Sequence, residues 1–175
     1  EAQVKCAAAV GCGVIGAGWI ARLRLSGIHV CAYDPAATAL DVITEVHDNA
    51  LRAWRQLDLE PAAERIGSLT MCSSIEATVA NADFIVESVP ERLELKLSTL
   101  LAIDAASIPT AIIASSTSGF KPSVLAEPLT HPGRLLVGHP FNPVYLLPLV
   151  EVVGGADTRE DVIERAIGLY RSLGM

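Results

Sequence analysis

The chain has 175 residues, of which 51% are hydrophobic and 19% charged, and 13 Lys and Arg against 20 Asp and Glu give a net charge of −7. This composition is too apolar and too sparsely charged for an intrinsically disordered protein. The acidic balance also argues against nucleic acid as a partner, because nucleic-acid-binding surfaces are usually basic.

In chain order, short apolar runs alternate with helical patterns, and the alternation continues to the last residues. Glycine, proline and aspartate separate the segments. We predict strand 4–10, helix 14–25, strand 28–33, helix 36–57, strand 69–72, helix 74–81, strand 84–89, helix 91–104, strands 111–115, 135–138 and 149–153, and helix 158–173.

The helix predicted at 91–104 has two local signals. Ser88 and Glu91 have the spacing of a capping box at its start. Leucines at three-to-four spacing indicate one buried face, formed by Leu93, Leu97, Leu100 and Leu101.

Strands that alternate with helices favour parallel pairing, because a parallel connection needs about a dozen residues or more. The strands are continuous apolar runs, as expected when helices cover both faces of a sheet. We therefore predict a single α/β domain over residues 1–175, with a doubly wound, Rossmann-type, mostly parallel sheet and helices on both faces.

No membrane segment or metal site is predicted. The uncharged stretch 6–21 is shorter than the roughly 20 apolar residues that span a bilayer, and glycines interrupt it. The 4 cysteines form no CxxC pair and have no histidine at ligand spacing, so neither zinc nor a disulfide framework is indicated. We expect reduced thiols in a cytoplasmic protein.

A glycine-rich loop, G-x-G-x-x-G, joins the first predicted strand to the first helix. Its first glycine permits a tight turn, its second lets a pyrophosphate approach the backbone, and its third lets helix pack on strand. Free N–H groups at the helix N-terminus bind phosphate oxygens. The expected cofactor-binding residues of this loop are Gly11, Gly13, Val14, Ile15 and Gly16.

An acidic residue follows the second predicted strand at the position typical of dinucleotide-binding domains. Asp34 has the spacing from the loop at which a carboxylate binds the adenosine ribose. The carboxylate would repel a 2′-phosphate and no arginine follows it closely, so NAD is favoured over NADP. Asp34 also has the sequence context of a helix N-cap ahead of Pro35, which is compatible with the ribose role.

Polar side chains cluster after the last three predicted strands. Because ligands bind outside the carboxyl ends of strands in open α/β sheets, the run 115–119, the loop at His139 and Asn142, and the carboxylate Glu151 are candidates. An imidazole base paired with a carboxylate suits oxidation of an alcohol. The alternative stays open that the serine run caps a helix and His139 is an ordinary loop histidine.

These motifs together resemble the NAD-binding domain of the 3-hydroxyacyl-CoA dehydrogenase superfamily over essentially the whole chain. The resemblance implies that His139 is the catalytic base, with Glu151 as its partner. It also implies that Ser118 binds the substrate oxygen, that Asn142 lies near nicotinamide and substrate, and that Glu91 and Lys96 contact the cofactor. The matching segments are the glycine loop with Gly18, Glu87-Ser88-Val89-Pro90-Glu91 with Lys96, Ser115-Ser116-Thr117-Ser118, and Gly138-His139-Pro140-Phe141-Asn142-Pro143 leading to Leu149-Val150-Glu151-Val152-Val153.

Within the superfamily, the segment 139–151 is most similar to the carnitine-oxidising members, followed by the lambda-crystallin-like gulonate dehydrogenases. Pro140 stands where the acyl-CoA members commonly have Phe, which argues against a CoA thioester. A small 3-hydroxy acid is the expected substrate, and Trp19, Phe141 and Tyr145 are candidates to receive its cation or are ordinary packing residues. A 3-hydroxyacyl-CoA dehydrogenase, a gulonate dehydrogenase, and an NAD(H)-binding structural or sensor module are the alternatives.

The resemblance also carries an expectation about domains. Superfamily enzymes follow this domain with a helical one that supplies an active-site Asn and the dimer contact. We expect a homodimer formed through such a domain outside this chain, and little turnover by the chain alone.

Overall fold

The computed structural model describes residues 4–61 and 66–175. Seven strands form one sheet: β1 Cys6–Val10, β2 His29–Tyr33, β3 Leu69–Met71, β4 Phe84–Glu87, β5 Ile112–Ser115, β6 Leu135–Pro140 and β7 Val150–Gly154. Their order across the sheet is β3-β2-β1-β4-β5-β6-β7. The predicted Rossmann-type architecture is therefore confirmed.

Six strands are parallel, and β7 pairs antiparallel with β6. The connection 141–149 contains no helix and is too short for a parallel crossover, so the chain returns as a hairpin. The sheet is mostly parallel, as predicted, with its last strand as the exception.

The helices cover both faces of the sheet. They are α1 Val14–Leu25, α2 Ala39–Gln56, α3 Ile75–Val79, α4 Leu93–Ala106, α5 Pro122–Ala126 and α6 Glu160–Ser172. Helix α2 begins three residues later than predicted, with Thr38 as its N-cap. Helix α5 is not among the predicted elements.

The residues of the inner strands β1, β4 and β5 are buried on both faces, whereas the edge strands β3 and β7 are partly exposed. In β1, Ala7 and Ala9 belong to a core cluster with α1 and α6, whereas Ala8 and Val10 belong to a cluster with α4 and α5. Alternate residues thus face opposite layers, and both layers exclude water. This double coverage explains why β1 is a continuous apolar run.

The predicted leucine face of α4 is partly wrong. Leu100 is buried, but Leu101 is exposed, and the buried positions one turn to either side are Lys96 and Ile103. The face that α4 buries is rotated from the leucine stripe, and it includes Lys96, which contacts Glu87 at the end of β4.

A buried ion pair fixes α4 to the segment that leads into β6. Asp104 accepts hydrogen bonds from Arg134 Nη2 at 2.8 Å and from the backbone N–H groups of Thr130 and His131. Burial alone raises the pKa of Asp104, but the hydrogen bonds, with Arg134 foremost, outweigh it and hold this pKa below its usual value. The pair lies at the edge of the sheet opposite the carboxyl ends of the strands.

Candidate nucleotide cleft and active site

The three glycines of the loop after β1 have three different surroundings. Gly11 has φ +91°, and a Cβ there would lie 2.6 Å from the Ser88 carbonyl carbon. A Cβ on Gly16 would lie 1.8 Å from the Gly11 carbonyl oxygen, so α1 packs directly on the turn. Gly13 has no atom within 4 Å of its Cβ position and faces open space.

The loop leads directly into α1, with Gly13 as the N-cap and no acidic side chain in the first turn. The unpaired N–H groups and the positive end of the helix dipole therefore face the space beside Gly13. A pyrophosphate fits this cradle, which a side chain at residue 13 would fill.

Asp34 follows β2, lies directly beside the glycine loop and is held by two backbone groups. Its Oδ2 accepts from the Cys12 N–H at 2.8 Å, and its Oδ1 accepts from the Ala36 N–H at 2.8 Å. The predicted N-cap role is wrong, because α2 begins only at Ala39. Each carboxylate oxygen keeps a lone pair with which to accept from a ribose hydroxyl.

A cleft of about 760 Å³ extends along the carboxyl ends of β1, β2, β4 and β5. Its volume lies in the range of small-molecule sites, roughly 300–1,000 Å³. Of the predicted cofactor residues, those lining the cleft are Gly11, Gly13, Val14, Ile15, Asp34, Glu91 and Lys96, whereas Gly16 supports the loop from behind.

The side chain of Lys96 lies in the cleft floor rather than on its surface. It is only 1% exposed, and its Nζ donates to Glu87 Oε1 at 2.8 Å and to the Val89 carbonyl at 3.1 Å. Glu87 also accepts from the Ser115 hydroxyl and the Val89 N–H. Sequence reasoning assigned Glu87 no role, although a carboxylate that ends an apolar strand was a usable signal.

Glu91 is exposed at the rim, where it accepts from the Thr117 hydroxyl. The predicted capping box with Ser88 does not form. Helix α4 begins at Leu93 with Arg92 as N-cap, and the Ser88 hydroxyl bonds to Ser116 instead.

His139 and Glu151 lie beyond the cleft, where β6 ends and β7 begins. They are register partners in the antiparallel pair, and His139 Nδ1 lies 2.9 Å from Glu151 Oε2. The hairpin explains how residues 12 apart in sequence meet. The side chains of His139 and Glu151 are 29% and 60% exposed, and the Phe141 ring packs against the imidazole with centroids 5.6 Å apart.

Ser118 and Asn142 are both exposed, in the loops after β5 and β6. Both loops leave the same edge of the sheet, but the structure shows no side-chain hydrogen bond from either residue within its described part. The alternative in which the serine run caps a helix is wrong, because α5 begins at Pro122 with Lys121 as its N-cap.

Two of the three aromatic candidates for a cation site pack inside the domain. Trp19 is fully buried, so it cannot meet a ligand cation, and Tyr145 packs partly buried against Trp54 and its neighbours. Phe141 is 38% exposed beside His139. The ordinary packing interpretation therefore applies to Trp19.

A family model described as 3-hydroxyacyl-CoA dehydrogenase, NAD binding domain, matches residues 6–175. An L-carnitine dehydrogenase of Pseudomonas putida is 51% identical over 173 residues, which are 99% of this chain and 54% of that protein. An L-carnitine dehydrogenase/betainyl-CoA thioesterase of Rhizobium sp is 53% identical over 97% of this chain and 34% of that protein. The chain thus spans about a third to a half of the length of these relatives.

Solved structures share the fold. The 3-hydroxybutyryl-CoA dehydrogenase of Escherichia coli superposes with a TM-score of 0.87 and 30% identity, over 99% of this chain and 37% of that one. The 5-formyl-3-hydroxy-2-methylpyridine 4-carboxylic acid 5-dehydrogenase, described as an NAD⁺-dependent dismutase, gives a TM-score of 0.91 and 29% identity, over 99% and 56%.

Proposed function

Because this chain belongs to the 3-hydroxyacyl-CoA dehydrogenase family as its NAD binding domain, we propose that the protein oxidises the 3-hydroxyl group of L-carnitine to 3-dehydrocarnitine. The observation that carries the reaction is the His139–Glu151 pair at the end of a cleft shaped for a dinucleotide. The substrate is supported by relatives named L-carnitine dehydrogenase, at 49–53% identity.

NAD, the predicted cofactor, agrees with the family match, and when bound it supplies the acceptor for the hydride that leaves the carbinol carbon. The loop at Gly13 would hold its pyrophosphate and Asp34 its adenosine ribose. Lys96 would affect the cofactor indirectly, as part of the cleft floor, because its ammonium is already paired with Glu87. Glu91 stands at the rim, where its carboxylate can accept from a ribose hydroxyl.

His139 is the proposed base. Its Nδ1 faces a carboxylate, so Nδ1–H donates to Glu151 and Nε2 keeps a lone pair for the substrate hydroxyl proton. When Nε2 takes that proton the ring becomes an imidazolium, and the negative charge of Glu151 stabilises it. Ser118 would donate to the substrate oxygen, and Asn142 would contact substrate and nicotinamide.

One other substrate class has a specific observation in its favour. The E. coli enzyme that superposes on 99% of this chain is a 3-hydroxybutyryl-CoA dehydrogenase. The substrate in its name also carries a 3-hydroxyl group, but as a CoA thioester. A comparison of substrates therefore decides between the acid and the thioester.

The deciding experiment measures NADH formation by the full-length protein with L-carnitine, gulonate and 3-hydroxybutyryl-CoA in parallel. We expect the highest kcat/KM with L-carnitine. Equal or better turnover of 3-hydroxybutyryl-CoA contradicts the carnitine proposal and leaves the family assignment intact. NADH binding without turnover of any of the three favours a structural or sensor module.

A cytoplasmic homodimer with a further helical domain remains our proposal from the family resemblance. The 4 cysteines, all within the described residues, are unpaired, which fits a reducing compartment. In the described ranges, no helix combines the length and apolar character needed to cross a bilayer. Sedimentation velocity of the full-length protein tests the dimer, because a monomer at micromolar concentration contradicts it.

A further inference from the structure

Three side chains from different parts of the chain form a hydrogen-bonded row at the floor of the cleft. The Trp19 Nε1–H donates to Ser116 Oγ at 3.2 Å, and Ser116 Oγ lies 2.9 Å from Ser88 Oγ. Trp19 is fully buried on α1, whereas the two serines are half-buried and line the cleft. The row thus runs from the core to the cleft surface.

The number of donors in this row determines what it offers a ligand. An indole N–H can only donate, so Ser116 uses a lone pair to accept from Trp19. The two hydroxyls together have two protons, and one of them forms the bond between the serines. One hydroxyl proton is left over, and the described residues provide no further partner for it. The pair therefore presents one hydrogen-bond donor to the cleft.

The position of the pair along the sheet edge indicates which part of the dinucleotide it meets. Ser88 follows β4, next to β1 and its phosphate loop, and Ser116 follows β5, next to β6 and His139. Neighbouring strands lie about 4.8 Å apart, so the serines stand one and two strands beyond the pyrophosphate cradle. That is the side away from Asp34 and towards the base.

We propose that the Ser88–Ser116 pair, oriented by the Trp19 N–H, donates a hydrogen bond to an acceptor oxygen on the nicotinamide riboside half of NAD. This inference rests on the proposed NAD cleft and adds a binding element for the reacting half of the cofactor. Two oxygens share the required chemistry, the carboxamide oxygen and a ribose hydroxyl. If only one serine is replaced by alanine, the other serine keeps its hydroxyl and can still donate to the cofactor. The test therefore replaces both serines.

The test is isothermal titration calorimetry of the full-length wild-type protein and the Ser88→Ala/Ser116→Ala double variant with NAD, ADP-ribose and ADP. Loss of one neutral hydrogen bond should weaken NAD binding about 3- to 10-fold. If ADP-ribose binding weakens equally, the acceptor is the ribose; if only NAD binding weakens, it is the carboxamide. ADP lacks both groups, so its affinity should change less than about twofold.

The control is Ser107→Ala, which removes a hydroxyl bonded to the Ile103 carbonyl at the far end of α4. It should leave all three affinities unchanged. The inference is overturned if NAD binds the double variant as tightly as wild type, or if ADP binding falls as much as NAD binding. Failure of wild-type protein to bind NAD would instead contradict the proposed function, so the two failures are distinct.

Discussion

The nucleotide cleft and the His139–Glu151 pair, here called the reacting pair, lie along one edge of the sheet, but they are held in place differently. In the cleft, Asp34 is fixed by two backbone N–H groups, and Lys96 is buried in an ion pair with Glu87. At the reacting end, the half-exposed His139 and the exposed Glu151 share one hydrogen bond. The cleft floor at Lys96 and Glu87 is therefore anchored in the core, whereas the reacting pair lies on the β6–β7 hairpin at the side of the sheet.

This difference separates two kinds of effect. A change in the cleft or core should alter folding and binding together, because the same contacts serve both. A change at the reacting pair should alter the rate with little effect on stability, because exposed pairs contribute little to folding.

The largest expected effect is on the rate of His139→Gln. Removing the proposed general base should lower kcat about 10²- to 10⁴-fold, because the other histidines lie elsewhere, His29 at the start of β2, His47 on α2 and His131 ahead of β6. Steady-state NADH formation with L-carnitine measures the rate, and NADH fluorescence titration should show unchanged cofactor affinity. A fall in cofactor affinity as large as the fall in rate would place His139 in the nucleotide site instead.

The next effect is on the stability of Arg134→Met. The change leaves Asp104 buried without its guanidinium partner, which should lower the free energy of unfolding by about 3–5 kcal/mol at neutral pH. Chemical denaturation measures it. Arg159→Met is the control, because its ion pair with Asp161 is exposed and should matter little.

The same pair predicts a pH dependence. The pKa of Asp104 is lowered in the folded state, so the stability it contributes is present above the unfolded pKa of about 3.9 and is lost as pH falls through the folded pKa. In Arg134→Met, burial should raise this pKa, so protonation relieves the buried charge. The stability difference between variant and wild type should therefore shrink on acidification, and a constant difference from pH 7 to 3 contradicts this account.

A smaller effect should follow Gly16→Ala in the phosphate loop. Its Cβ would approach the Gly11 carbonyl oxygen to 1.8 Å, so the loop must shift, at about 1–3 kcal/mol of stability. NAD affinity should fall with it, as measured by calorimetry. In Gly168→Ala, on α6 with nothing within 4 Å, the change should stabilise by about 0.5–1 kcal/mol and leave NAD affinity unchanged.

Sequence reasoning succeeded where the signal is local or periodic. The glycine loop and Asp34 are recognisable because the glycines stand at fixed positions in a tight turn and the acid stands at a fixed distance from them, at the end of the second strand. The same reasoning failed for contacts that only the fold creates, such as Trp19 with Ser116, which are 97 residues apart. It also misjudged Asp34 as an N-cap, because α2 begins only at Ala39 and the Asp34 carboxylate instead joins the loop after β1 to the loop after β2.

Glu151→Gln should have the smallest effect on stability. It therefore gives the clearest contrast between the exposed His139–Glu151 pair and the buried Asp104–Arg134 pair. In Glu151→Gln the amide oxygen can still accept from His139 Nδ1–H, so the ring should keep its orientation. Because Glu151 is exposed, the free energy of unfolding should change by less than about 1 kcal/mol. The imidazolium of the proposed mechanism would lose its carboxylate, so kcat should fall about tenfold. An unchanged kcat would contradict the role of Glu151 in the reaction. A stability loss comparable to that of Arg134→Met would show that the exposed pair also contributes to folding.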